Sequence, residues 1–103
     1  MGTYSYGASK AAIHHLTRTL AAHLAERNIT ANAIAPGPFP SKMMAGIAQT
    51  MGEQIRQGVP LKRWGEPADM AGAAIYLASK AGAYVSGAVI PVDGGIVASS
   101  RTL

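Results

Sequence analysis

Ile29-Thr30-Ala31-Asn32-Ala33-Ile34-Ala35, followed by Pro36-Gly37-Pro38, is the stretch that decides the fold class. It is largely apolar on both faces, which predicts a short strand of the kind found in a buried parallel sheet. Proline, glycine and proline then stop it. Upstream, Ile13, Leu16, Leu20 and Leu24 recur at spacings of three and four, so a helix with one apolar stripe is expected over residues 6–27. Arg27-Asn28 ends it, since asparagine suits a left-handed cap.

Downstream, a long excursion covers residues 39–65, with a helix expected near residues 43–57. It carries Met43, Met44, Ile47, Met51 and Ile55, a flexible apolar set. Glu66-Pro67-Ala68-Asp69 opens a further helix that runs to about Ser79, with proline in the first turn and acids favoured by the helix dipole. After Ser86-Gly87 comes a second strand, Ala88-Val89-Ile90-Pro91-Val92, closed by Asp93-Gly94-Gly95. Pro91 lacks a ladder donor, which places this strand at a sheet edge. The order is helix, strand, lid helix, helix, strand. Two parallel strands leave a sheet incomplete. The expectation is therefore α/β, with residues 1–103 a single partial domain, the second half of something larger, whose lid spans about residues 39–65.

Composition narrows the function. A chain of 103 residues suits one small ordered domain, and its twelve glycines and six prolines form no low-complexity tract. With no cysteine there is no disulfide, thiol nucleophile or thiolate metal site. No apolar run approaches the ~20 residues of a membrane span, and no signal-peptide core opens the chain. The expected setting is cytoplasmic, away from membranes. The formal charge of +4 comes from nine scattered Lys and Arg residues, with no basic stripe among aromatics, so nucleic acid is not an expected partner. His14 and His15 point different ways on a helix and His23 lies two turns further on, so no metal site is expected.

Tyr6 and Lys10 are the candidate chemistry. On a helix their spacing of four puts phenol and ammonium on one face, one turn apart. A lysine held there lowers a phenol pKa from its ordinary ~10, and the phenol can then act as general acid or base on a carbonyl or alcohol. Tyr4 has only Ala8 at the same spacing.

Four motifs follow one another in order: Tyr6-Gly7-Ala8-Ser9-Lys10, Asn32-Ala33-Ile34-Ala35-Pro36-Gly37, Arg63-Trp64-Gly65-Glu66-Pro67, and Ser86-Gly87 with Pro91-Val92-Asp93-Gly94-Gly95. From about Tyr4 to Gly95 the chain resembles the C-terminal half of the short-chain dehydrogenases/reductases, nearest in look to 3-oxoacyl-carrier-protein reductase-like members. The resemblance implies a Rossmann-like doubly wound parallel sheet and hydride transfer between NAD or NADP and a small carbonyl or alcohol substrate. It implies Tyr6 as the general acid/base, and Lys10 on the nicotinamide ribose, holding the phenol pKa low. Pro36 and Gly37 would lie at the cofactor end of the strand. The Phe39 backbone would meet the carboxamide, and Ser41 would contact cofactor where the family often has threonine. The Met-rich lid is compatible with an acyl or otherwise apolar substrate, and full-length relatives commonly assemble as homo-oligomers.

The departures from the family pattern matter as much. The glycine-rich pyrophosphate turn, the residue selecting NAD or NADP, and the upstream serine and asparagine have no counterpart in these 103 residues. The isolated chain is therefore expected to be inactive. The alternative is an inactive remnant or subunit-association module without cofactor binding. Asp69 and Glu66 are expected as helix-start charges, Asp93 as the residue fixing its turn, and Trp64 and Tyr84 as packing residues.

Overall fold

The structure is a computed structural model that describes residues 2–42 and 45–99, with the side chains of residues 2–7 and of Ser9 outside that description. Met43 and Met44 of the expected lid helix lie outside the described residues. The elements are α1 (Gly2–Leu24), β1 (Ala33–Pro36), α2 (Ala45–Gly58), α3 (Pro67–Ala78), β2 (Val89–Val92) and α4 (Ile96–Ser99). The expected order of helices and strands is present, and the short α4 was not anticipated. The described chain forms two compact units: residues up to Ala33 with Tyr76–Ile90, and Ile34–Ile75 with residues from Pro91 onward.

The sheet has two strands in the order β1-β2. Ala33 N–H donates to Ala88 C=O and Gly37 N–H to Val92 C=O, each at 2.9 Å. Both partners advance by four residues, the signature of a parallel pair. β1 begins later than the seven-residue run predicts, and the reason is local chemistry. The Asn32 amide donates to Val85 C=O and accepts from Ala88 N–H, both at 3.0 Å, and Ala31 N–H donates to the Ser86 hydroxyl at 3.2 Å. Side chains thus share these first residues with a single backbone bond, Gly87 N–H to Ala31 C=O at 2.7 Å, in place of a regular ladder. Ala33, Ile34 and Ala35 are only half-buried, as expected for a strand with a single neighbour. Pro91 is exposed on its two-stranded sheet.

In the first unit, α1 ends in one 3-10 turn, Ala25–Arg27. Asn28 follows at φ 58° and ψ 36°, the left-handed cap expected from sequence. Asn28 N–H bonds Ala25 C=O at 3.0 Å and Ile29 N–H bonds Leu24 C=O at 3.2 Å, the paired bonds of a Schellman motif. The inward face of α1 differs from the expected stripe. Ile13 and Leu16 are each 54% exposed and Leu20 is 41% exposed. Among the described side chains of α1, Lys10, His14, Thr17, Thr19, Ala21 and Leu24 are half-buried or buried; all but Thr19 form a second stripe at spacings of three and four, which meets the expected one at Leu24. Thr17 sits there because its hydroxyl donates to Ile13 C=O at 2.8 Å, so no polar atom goes unpaired. Tyr84, expected to pack, is fully exposed.

In the second unit, Val59 just past α2 is the buried hydrophobic residue, 1% exposed. Gly94 lies over it at φ 65°, where a Cβ would strike the Val59 side chain, and Leu61 N–H donates to Gly94 C=O at 3.1 Å. Asp93 fixes its turn as expected: its carboxylate accepts from Gly95 N–H at 2.9 Å and Val97 N–H at 3.1 Å, which also caps α4. No helix among the described residues is long and apolar enough to cross a membrane.

Candidate functional site

The residues singled out from sequence fall into two groups. Positions 6 and 10 belong to one uninterrupted helix, α1, in the first unit, so their backbones are one turn apart. The side chain of Tyr6 lies outside the described residues. Lys10 is half-buried on the inward stripe, in line with His14 and Thr17. A lysine on the packed face of a helix covers its neighbours with its aliphatic stem while its ammonium extends from the end of that stem.

Pro36, Gly37, Phe39 and Ser41 belong to the second unit. Pro36 closes β1, and Gly37 N–H makes the last inter-strand bond. Glycine is required at 37 by close approach: a Cβ there would lie 2.7 Å from the Asp93 Cβ and 2.8 Å from its Cα. The carboxyl ends of β1 and β2 thus come together backbone to backbone. In parallel α/β sheets, ligands bind beyond such strand ends. Phe39 is half-buried and Ser41 exposed.

A cleft of about 830 Å³ lies in this unit, walled by Pro38, Phe39, Pro60, Leu61, Pro91 and Val97. Its size falls within the usual range for small-molecule sites, ~300–1,000 Å³. Arg63 and Asp69 also line it, and their charges are paired with each other. Arg63 grips Asp69 with two guanidinium nitrogens at 2.8 and 3.2 Å. The same carboxylate accepts from Glu66 N–H at 2.7 Å, so Asp69 is a helix-start charge as expected, capping α3 from its third position. These donors, the Arg63 fork first, hold the Asp69 carboxyl at about 2, below the usual carboxylate range.

Two features of this neighbourhood escaped the sequence. Gly65 N–H donates to Pro38 C=O at 2.9 Å, and the Phe39 ring fills the space a side chain at 65 would need. The Trp64 indole N–H donates to Gly52 C=O at 3.1 Å, which joins α2 to the loop before α3. The motif Arg63-Trp64-Gly65-Glu66-Pro67 marked the stretch as special, but its partners are more than ten residues away in sequence. Among the described residues, no group of three His, Cys, Asp or Glu side chains is placed to hold a metal ion.

The backbone around 36–39 has the features of a ligand-approach segment in such sheets. It is an open strand-end segment beside a cleft, with glycine where backbones approach most closely.

Comparisons with known proteins agree with the motif order. Residues 1–97 match the family described as Enoyl-(Acyl carrier protein) reductase. The chain is 52% identical over 95 residues to the rhamnolipids biosynthesis 3-oxoacyl-[acyl-carrier-protein] reductase of Pseudomonas aeruginosa, a match covering 89% of this chain and 37% of that protein. Among solved structures, the Pseudomonas aeruginosa RhlG/NADP active-site complex superposes with a TM-score of 0.83 at 50% identity, over 90% of this chain and 38% of the other. A gluconate 5-dehydrogenase from Burkholderia cenocepacia in complex with NADP and tartrate gives a TM-score of 0.83 at 34% identity, over 92% and 38%. The chain therefore spans well under half the length of the relatives it matches, corresponding to their C-terminal half.

Proposed function

The chain belongs to the short-chain dehydrogenase/reductase family, and we propose that it is the catalytic C-terminal part of an NAD(P)-dependent oxidoreductase acting on a carbonyl or alcohol. The carrying observation is the placement of Tyr6 and Lys10 one turn apart on one continuous helix, within an ordered set of family motifs. In this reading Tyr6 gives its phenolic proton to the carbonyl oxygen in reduction, and takes it back in oxidation. Lys10 binds the nicotinamide ribose and stabilises the phenolate with its ammonium. Pro36 and Gly37 leave room at the strand end, the Phe39 backbone meets the carboxamide, and Ser41 contacts the cofactor. When bound, the nicotinamide supplies or accepts the hydride. Both structural relatives cited above hold NADP, which favours NADP over NAD. The substrate carries an apolar or acyl portion, in keeping with the cleft walls and with the oxoacyl substrate in the name of the Pseudomonas relative. The two compact units belong to one domain of a cytoplasmic homo-oligomer.

A second reading is a subunit-association module without cofactor binding. It is favoured by one observation, the exposure of Ile13, Leu16 and Leu20 along one side of α1. The coding sequence immediately upstream separates the two. A glycine-rich strand–turn–helix in frame supports the enzyme, and its absence supports the module. In the protein so extended, Tyr6→Phe should reduce turnover by roughly 10²- to 10⁴-fold while leaving NADP(H) affinity unchanged. Unchanged turnover would remove Tyr6 from its role.

A further inference from the structure

The loop before α3 contains an interaction set that helix capping alone does not require. Asp69 accepts from Glu66 N–H at 2.7 Å and from the Arg63 fork at 2.8 and 3.2 Å. One of the same guanidinium nitrogens also donates to Trp64 C=O at 3.0 Å. The peptide groups on both sides of Gly65 are therefore held by one ion pair. The Trp64 C=O and the Gly65 N–H belong to a single planar peptide, so anchoring the oxygen on Arg63 fixes the N–H on the opposite side. That N–H points at Pro38 C=O, 2.9 Å away. The bare Cα of Gly65 meanwhile packs against the Phe39 ring, where a Cβ would collide with three ring carbons.

We propose that Arg63 and Asp69 are positioning residues for the cofactor segment: through Gly65 they set the backbone at Pro38 and Phe39. The proposal rests on the reading above for its consequence, since that reading turns the Phe39 backbone toward the nicotinamide carboxamide. Its structural content needs neither cofactor nor Tyr6. Arginine suits the role because its planar fork holds both carboxylate oxygens while still reaching the Trp64 carbonyl. Tying Trp64 to Gly52 C=O brings α2, the expected lid helix, onto the same loop. A change at the pair should therefore be felt at Phe39, and through the Trp64 tie at α2.

Amide hydrogen exchange on the full 103-residue chain, with ¹⁵N labelling, tests this in the parent and in Arg63→Met and Asp69→Asn. Gly65 N–H should exchange at least about tenfold faster in both variants, and the Phe39 and Gly65 amide resonances should move. The Ala33 amide, bonded to Ala88 C=O in the other unit, should keep its rate. Equal acceleration of Ala33 and Gly65 would mean general destabilisation and would overturn the proposal. So would unchanged Gly65 exchange in the variants, or a parent Gly65 amide exchanging like an unstructured peptide. A failed Tyr6→Phe test would leave these outcomes untouched, so the two ideas fail separately.

Discussion

At the residue scale, the informative side chains are those whose partners lie far away in sequence. Asp69 illustrates the difference between a legible role and an illegible one. Its acid at the third position of α3, after Glu66 and Pro67, is readable as a helix-start charge because capping is local. Its bidentate partner Arg63 is not, because it lies six positions back, in the irregular loop before α3. The pair has a measurable consequence. Asp69 is held at about 2 in the folded chain, below its ordinary value of 3.8, chiefly by the Arg63 fork. A depressed carboxylate contributes stability that is fully present above its unfolded pKa and is lost as pH falls through the folded one. Melting midpoints recorded from pH 5 to pH 2 should thus show the advantage of the parent over Asp69→Asn shrinking below about pH 4. The side chains are partly exposed, 50% for Arg63 and 30% for Asp69, so the advantage should be small and weakened by salt. A difference that stays constant across that range would contradict the assignment.

At the element scale, α1 carries two stripes, and the sequence singled out the more apolar one. Ile13, Leu16, Leu20 and Leu24 form the hydrophobic run, yet of these Leu24 alone is turned inward, in line with Lys10, His14, Thr17 and Ala21. Hydrophobic periodicity finds a face that favours burial, not the neighbour that buries it. At one point of the other stripe small residues allow close approach: Ala21 lies 3.5 Å from where a Cβ on Gly87 would be. In this chain, then, Ile13→Gln with Leu16→Gln should change unfolding free energy by no more than about 0.5 kcal/mol, and should lower binding of an apolar dye such as ANS. Val59→Ala, at the buried position, should cost roughly 1–3 kcal/mol. A loss from the double glutamine variant as large as that from Val59→Ala would show that the stripe is buried in solution. The end of α1 was more legible than its face, since the Asn28 cap depends only on backbone geometry within six residues. Strand β1 falls between these cases. Its existence follows from an apolar run between a helix and a proline stop, but its start at Ala33 depends on Asn32 meeting Val85 and Ala88.

At the scale of the whole molecule, the described residues bury little: Val59, Thr17 and Gly82 are the buried ones. Among the described residues the two strands pair with each other alone. A chain that covers 37% of its curated relative should have a correspondingly shallow core. Calorimetric titration of the 103-residue chain with NADPH should show no sub-micromolar binding, and its thermal melt should be broad. Tight binding with a sharp cooperative melt would overturn this expectation and assign the cofactor site to these residues by themselves. The sequence by itself determined the order of elements, the asparagine cap, the Asp93 turn and the family, because each rests on short-range spacing or on motifs read along the chain. Only the tertiary structure decided which side of α1 faces inward, where β1 begins, and that Gly65 holds Pro38 and Phe39 under the grip of Arg63 on Asp69. Those outcomes depend on which distant segments meet. Close packing and fixed hydrogen-bond partners are properties of the assembled surfaces, and a one-dimensional pattern carries them only when both partners lie within a few residues of each other.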